Sequence, residues 1–176
     1  MAQEPDSSDQ ALEEIAEWMS SKLPKFGRFS LRLTADWAHA GAFRSTMGSN
    51  RSLGARHQIR DVSLRNCELK YTAEFSLTSG TSSPSVSDAT LPLWIIDVGS
   101  VRVQRYELPG DLRATNPRWE VVLRAPNGTE GFTLTGSDKT QVRVWQHNIP
   151  IDKSRNAEEL AEVVRGAARL CEAKQS

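Results

Sequence analysis

Apolar side chains recur at every second position through much of the chain between residues 58 and 151. Successive side chains of a strand point to opposite faces, so this period predicts strands that bury one face and expose the other. Segments rich in glycine, proline, serine and asparagine separate the runs, as is typical of turns between antiparallel strands. The clearest runs are 67–77, 91–98, 101–103, 119–123, 132–134 and 142–144. We therefore expect six or seven antiparallel strands.

Two segments predict how the strands connect. The parity of the alternation switches at Arg65 and Asn66, which indicates a bulge or a turn between two strands. The Pro-Asn-Gly sequence at residues 126–128 is a hairpin signal, so we expect the strands on its two sides to pair with each other. The serine- and threonine-rich stretch 78–90 is expected to be a loop.

The end of the chain has the helical period instead. Its apolar positions are Ala157, Leu160, Ala161, Val164, Ala167, Ala168 and Cys171. This spacing predicts a helix over residues 156–172 with one apolar face, and its small alanines allow close approach to a sheet. Asn156 and Glu159 form a variant of the capping box at its start.

The first part of the chain contains a second helical pattern. Apolar residues from Leu12 to Leu23 make one stripe, so residues 9–23 are expected to form a helix that Pro24 ends. A short strand follows at residues 29–33, and residues 34–57 lack any period and are expected to be a long loop. The expected fold is therefore α+β: an antiparallel β-sandwich or half-open barrel closed by the C-terminal amphipathic helix, with an N-terminal helix. We divide the chain into 1–57 and 58–176.

Composition limits the classes of protein that this chain can represent. The 176 residues include 22 basic and 22 acidic side chains, so net charge gives no attraction to nucleic acid. No apolar run approaches the roughly 20 residues of a membrane-spanning helix, which favours a soluble protein. The only cysteines, Cys67 and Cys171, exclude a four-cysteine zinc site and a C-x-x-C motif. They leave one possible disulfide or two buried thiols.

Charge is distributed unevenly along the sequence. Residues 1–18 hold six acids and no base, whereas residues 22–70 hold ten bases and three acids. The basic segment from Ala38 to Arg60 brings together the candidate anion-binding residues, which are Arg44, Arg51, Arg56 and Arg60. Guanidinium groups suit phosphate and carboxylate geometry, so the partner would be a lipid headgroup or an acidic protein surface. Two alternatives stay open: the acidic N-terminal segment folds back onto the loop, or the loop is solvated and has no partner.

Motifs for catalysis and cofactor binding are not found. The sequence has neither a G-x-S-x-G nucleophile motif nor a phosphate-binding glycine loop, and its histidines lack metal-ligand spacing. We therefore assign no catalytic, cofactor-binding or metal-ligating residue. His57 is expected to be solvated in the loop, His147 to make a structural hydrogen bond, and Asp97 to accept backbone hydrogen bonds in a turn. Scattered carboxylates such as Glu120 could form an acid–base pair only if the fold brought them together.

The order of elements resembles the pleckstrin-homology-like fold, in which antiparallel strands precede a C-terminal helix that closes one end. The resemblance covers about residues 58–176, and residues 91–103 look like segments of bacterial proteins of unassigned function with that architecture. It implies a module that binds lipid headgroups, peptides or proteins. We therefore expect a non-enzymatic binding or interaction module; the alternative is a small hydrolase. The compartment stays open between the cytoplasm and, if a signal peptide was removed before Ala2, the periplasm or the exterior.

Overall fold

The computed structural model describes residues 7–35, 53–78, 83–108 and 112–176. Its α-helices are α1 (Ser7–Phe26) and α2 (Ser154–Gln175). Its strands are β1 (Phe29–Ala35), β2 (Leu53–Arg65), β3 (Glu68–Leu77), β4 (Ser85–Pro92), β5 (Arg102–Arg105), β6 (Leu112–Ala114), β7 (Trp119–Arg124), β8 (Phe132–Gly136), β9 (Gln141–Val144) and β10 (Gln146–Ile151). The expected α+β class, with antiparallel strands between an N-terminal and a C-terminal helix, is confirmed.

The strands form a larger and a smaller antiparallel sheet in a sandwich-like arrangement. The larger sheet has seven strands in the order β6-β1-β2-β3-β4-β8-β9, and the smaller has three in the order β10-β7-β5. The described residues therefore contain more strands than the six or seven that the alternation indicates. The additional ones are short or rich in small polar residues, which weakens the apolar period on which strand prediction depends.

Strand β4 lies within the stretch 78–90 that the sequence favoured as a loop, so that prediction is wrong for residues 85–90. Ala89 and Leu91 point into the core, while Asp88 on the opposite face is exposed. Strand β4 is stabilised by backbone pairing with β3 on one side and with β8 on the other. Its small polar side chains do not prevent this pairing. The predicted strand at 91–98 is also wrong beyond Pro92, because a single 3-10 turn spans Leu93–Ile95.

Strand β2 corrects the predicted end of the long loop. It begins at Leu53, and its first residues pair with β1, so the boundary drawn between residues 57 and 58 falls inside a strand. The inward side chains at the start of β2 are Ala55 and His57, which a search for large apolar residues does not recognise. The expected turn at Arg65 and Asn66 is present, because a tight turn separates β2 from β3.

The Pro-Asn-Gly segment does not join a hairpin, so the predicted pairing across residues 126–128 is wrong. Strand β7 pairs with β5 and β10, whereas β8 pairs with β4 and β9. The segment forms a single 3-10 turn with Asn127 at a φ of 54°, and it carries the chain from the smaller sheet to the larger one. The local turn chemistry was read correctly, but it does not determine which sheet the next strand joins.

Helix α1 continues past Pro24 to Phe26, in contrast to the predicted end at that proline. Pro24 lies in the last turn, where it removes one backbone hydrogen bond and leaves the rest of the helix intact. Leu23 and Phe26 are both buried, and their packing holds the final turn in place. Gly27 follows directly and donates its N–H to the Leu23 carbonyl at 2.9 Å.

The apolar face of α2 matches the predicted positions. The residues that it buries are Ala157, Leu160, Ala161, Val164, Ala167, Ala168 and Cys171. They belong to one core cluster with Val121 and Leu123 of β7 and with residues of α1, so α2 covers the smaller sheet. The helix begins at Ser154, so the predicted capping box with Asn156 at the helix start is wrong. Asn156 lies in the first turn and donates to the Asp152 carboxylate at 2.8 Å.

Candidate functional site

The four arginines proposed as an anion site do not form one described cluster. Arg44 and Arg51 lie outside the described residues. Arg56 and Arg60 both lie on β2, on the outward face of the larger sheet, and both are exposed. They are separated along the strand by four residues, which is about 13 Å. The two side chains therefore occupy different parts of the same face.

Arg60 is surrounded by acids. Its Nη1 atom lies 2.5 Å from Oδ2 of Asp61, and its Nε atom lies 3.9 Å from Oε2 of Glu74 on the neighbouring strand β3. Two carboxylates therefore face one guanidinium group, which lowers the attraction of this end of β2 for an external anion. Within the acidic N-terminal segment, Asp9 forms an ion pair with Lys174 of α2.

Arg56, in contrast, belongs to a cluster that the sequence did not reveal. Strand β1 runs antiparallel to β2 and places Ser30 directly opposite Arg56. Arg28 and Arg32 flank Ser30 in sequence, and all three are exposed, whereas the alternate residues Phe29 and Leu31 are buried. Diagonal positions on paired strands are about 7–8 Å apart, so Arg32 is near Arg56. Arg28 directly precedes β1, next to the paired residue Phe29. We call Arg28, Arg32 and Arg56 the basic face.

The edge of β1 beside the basic face is fixed by the segment that precedes β7. Asn116 accepts the Arg32 backbone N–H at 2.9 Å and donates to the Ser30 carbonyl at 3.1 Å. The Arg118 guanidinium also donates to the Ser30 carbonyl at 3.0 Å and lies over the Phe29 ring. The backbone that carries two arginines of the basic face is therefore held rigidly.

The pairing of β1 with β2 explains why the sequence did not indicate this cluster. Arg28 and Arg32 precede the segment that the sequence predicts to be a basic loop, and only the pairing of β1 with β2 brings them next to Arg56. The alternation of exposed and buried residues from Arg28 to Leu33 was a usable signal, because it assigns every second residue to the outward face.

His57 is buried, so the expectation that it is solvated in a loop is wrong. It is 5% exposed, stacks on Phe29 with ring centroids 5.0 Å apart, and its Nδ1 lies 2.8 Å from the Gly27 carbonyl. Burial lowers the pKa of His57, and the hydrogen bond to Gly27 partly opposes that effect. The residue therefore stabilises the junction between α1 and the larger sheet.

His147 makes the structural hydrogen bond expected of it. Its Nε2 atom bonds to the hydroxyl of Tyr71, which links β10 of the smaller sheet to β3 of the larger one. Burial lowers the pKa of His147 to about 4 and raises the pKa of the Tyr71 hydroxyl above its ordinary value. Both groups are therefore neutral near pH 7.

This pair leads to a prediction about acid stability. The unfolded chain protonates His147 near pH 6.5, whereas the folded chain resists protonation down to about pH 4. As the pH falls through this interval, the unfolded state binds the additional proton, so the free energy of unfolding should decrease by about 3 kcal/mol. Urea titrations of the wild type and His147→Gln at several pH values measure the effect. His57 acts in the same direction and is present in both proteins, so equal pH slopes for the two would contradict the prediction.

Two carboxylates that the sequence singled out have different surroundings. Asp97 is exposed and accepts the backbone N–H of Gly99 at 3.1 Å, which is the turn role expected of it. Glu120 is buried, and desolvation raises its pKa; amide donors from Gln104 and Asn148 oppose the shift, and the charge of Glu107 adds to it. Among the described residues, no group of three His, Cys, Asp or Glu side chains is arranged to hold a metal ion.

Comparisons of this chain with protein-family models, with curated proteins and with solved structures gave no match. In the described ranges, neither helix is long and apolar enough to cross a membrane.

Proposed function

We propose that this protein is a non-enzymatic binding module whose basic face, Arg28, Arg32 and Arg56, binds an acidic protein surface. The observation that carries the proposal is the placement of three exposed arginines, two on a rigid strand pair and one directly before it, around the uncharged Ser30. Guanidinium groups bind carboxylates with two parallel hydrogen bonds, and a fixed backbone reduces the entropy lost on binding. The pleckstrin-homology-like resemblance, supported by antiparallel strands before a C-terminal helix, is part of this proposal.

Two observations favour this partner and this role. Membrane-binding surfaces commonly combine basic residues with apolar side chains that insert between lipids. The large exposed apolar residues of the described chain are Val142 and Trp145, which lie at or beside β9, on the opposite edge of the sheet from β1 and β6. The groups that donate to Glu120 are amides, which do not ionise near neutral pH and therefore cannot form an acid–base pair with it, and this favours binding over hydrolysis.

Binding of fluorescently labelled poly-L-glutamate tests the proposal. At low salt we expect saturable binding that the triple variant Arg28→Ala/Arg32→Ala/Arg56→Ala weakens at least about tenfold, since each lost charge pair contributes a fraction of a kcal/mol or more. Binding should also fall steeply at about 1 M salt, where charges are screened within about 3 Å.

Arg169→Ala is the matched control, because Arg169 is an exposed arginine on α2, away from the basic face. It should bind poly-L-glutamate like the wild type. An equal loss of poly-L-glutamate binding in Arg169→Ala and in the triple variant would contradict a specific role for the basic face. Binding to phosphatidylserine vesicles without binding to poly-L-glutamate would replace the acidic protein by a lipid surface.

A further inference from the structure

A continuous row of hydrogen-bonded polar side chains crosses one face of the smaller sheet. Its members alternate in sequence with residues that face the core, and the strand register brings them together from β5, β7 and β10. We call this row the polar ladder; its members are Arg102, Gln104, Glu120, Asn148, Gln146 and Arg124. It contains no residue of the basic face.

Glu120 is the centre of the polar ladder. Its Oε1 atom accepts two hydrogen bonds, from Gln104 Nε2 at 2.6 Å and from Asn148 Nδ2 at 3.0 Å. Glu120 is only 4% exposed, whereas Gln104 and Asn148 on its two sides are partly exposed. The buried Glu120 carboxylate therefore holds the two amide side chains in fixed positions, and these amides remain partly accessible to a ligand.

The polar ladder has two arms that extend from Glu120 through further side-chain hydrogen bonds: one through Gln104 to Arg102, the other through Asn148 and Gln146 to Arg124. Gln104 accepts from Arg102 Nε at 3.3 Å, and Gln146 donates to Asn148 Oδ1 at 3.1 Å while accepting from Arg124 Nε at 3.0 Å. These bonds fix the orientation of each amide, because its oxygen and its nitrogen have different partners. A side-chain amide offers two donor hydrogens and two acceptor lone pairs, so each retains one donor and one acceptor for a ligand.

One arm ends at an exposed aromatic ring. Trp145 is 43% exposed, and the Arg124 guanidinium lies over its indole at 5.5 Å from the ring centroid. Exposed tryptophans are uncommon because most of the ring is apolar, and a planar apolar surface beside ordered polar groups suits a ligand with one apolar face and several polar edges.

We propose that the polar ladder and Trp145 form a saccharide-binding site. A sugar ring carries adjacent hydroxyl groups, each of which donates and accepts a hydrogen bond, and these match neighbouring amides that each retain a donor and an acceptor. The C–H face of a pyranose packs on an aromatic ring in the same way as other apolar groups. The ordered ladder reduces the loss of side-chain entropy on binding.

Titration calorimetry with a panel of defined disaccharides tests the site: cellobiose, maltose, mannobiose, lactose and diacetylchitobiose. We expect saturable binding of at least one of them. Trp145→Ala and Glu120→Gln should each weaken that binding at least about tenfold, because the first removes the stacking surface and the second changes the central acceptor. Arg143→Ala, an exposed residue of β9 outside the ladder, is the matched control and should bind like the wild type.

The basic-face triple variant distinguishes this site from the proposed protein-binding function. This variant should keep its affinity for the disaccharide while losing its binding to poly-L-glutamate. The two proposals can therefore be disproved independently of each other. Thermal unfolding of each variant establishes that it is folded before titration. Failure of the folded wild type to bind every member of the panel, or binding that survives Trp145→Ala and Glu120→Gln together, would overturn the proposal.

Discussion

Replacing Leu160 by alanine is expected to lower the free energy of unfolding by about 2–5 kcal/mol. Leu160 is fully buried on the face of α2 that meets the smaller sheet, in a cluster with Val121, Leu123 and Ile149. The substitution removes the contacts of the leucine side chain with its buried apolar neighbours and leaves a cavity. The hydrogen-bonded strands around the cavity are too firmly paired to move together and fill it. The loss should be a large fraction of the stability typical of a domain of this size.

Urea denaturation of the wild type, Leu160→Ala and Arg169→Ala measures this effect. Arg169 is exposed on the same helix, and alanine is a good helix former, so the control should change stability by no more than about 0.5 kcal/mol. A loss below that value for Leu160→Ala would mean that α2 does not pack on the sheet as the structure places it.

The helices were the part of the fold that the sequence predicted best, and the reason is local. Seven apolar positions of α2 lie on one face because of the helical period alone, and each of them is buried. Strand β4 shows the converse. Its side chains are mostly serine, threonine and small residues, and its stability comes from pairing with the preceding strand β3 and with β8, which is distant in sequence. No local pattern contains that information.

The candidate sites were harder to predict for the same reason. Arg56 was recognised as a basic residue, but its described neighbours Arg28 and Arg32 are near it only because β1 pairs with β2 in one register. Gln104, Glu120 and Asn148 come from three strands and meet on one face of the smaller sheet. A shift of one residue in either pairing would turn these side chains to the opposite face, so the sites depend on tertiary register.

A disulfide between Cys67 and Cys171 joins the turn of the β2–β3 hairpin to α2. In the structure the two cysteines form a disulfide with their Cα atoms 5.6 Å apart, across 104 positions of sequence. Asn66 and Cys67 occupy the tight turn between β2 and β3 with φ values of 50° and 60°. Turns with two positive φ values favour glycine at the second position, and a cysteine there is explained by its bond to α2.

Removal of this disulfide in Cys67→Ala/Cys171→Ala is expected to lower the free energy of unfolding by about 2–5 kcal/mol. In the chain-entropy account, a bridge closing about 100 residues restricts the unfolded chain by up to about 4.7 kcal/mol. Cys67→Gly/Cys171→Ala should recover part of the loss, because glycine adopts a positive φ without the steric cost that alanine has there. Dithiothreitol should lower the melting temperature of the wild type and leave both variants unchanged.

Alkylation with iodoacetamide under denaturing conditions, without reductant, tests the bond directly by intact mass. The wild type should gain no label until dithiothreitol is added, and then two labels. Disulfides persist mainly in oxidising compartments, so a protein purified from such a compartment should show the unlabelled mass. Two labelled thiols before reduction would contradict the bridge, and core packing would then be what holds α2 against the β2–β3 turn.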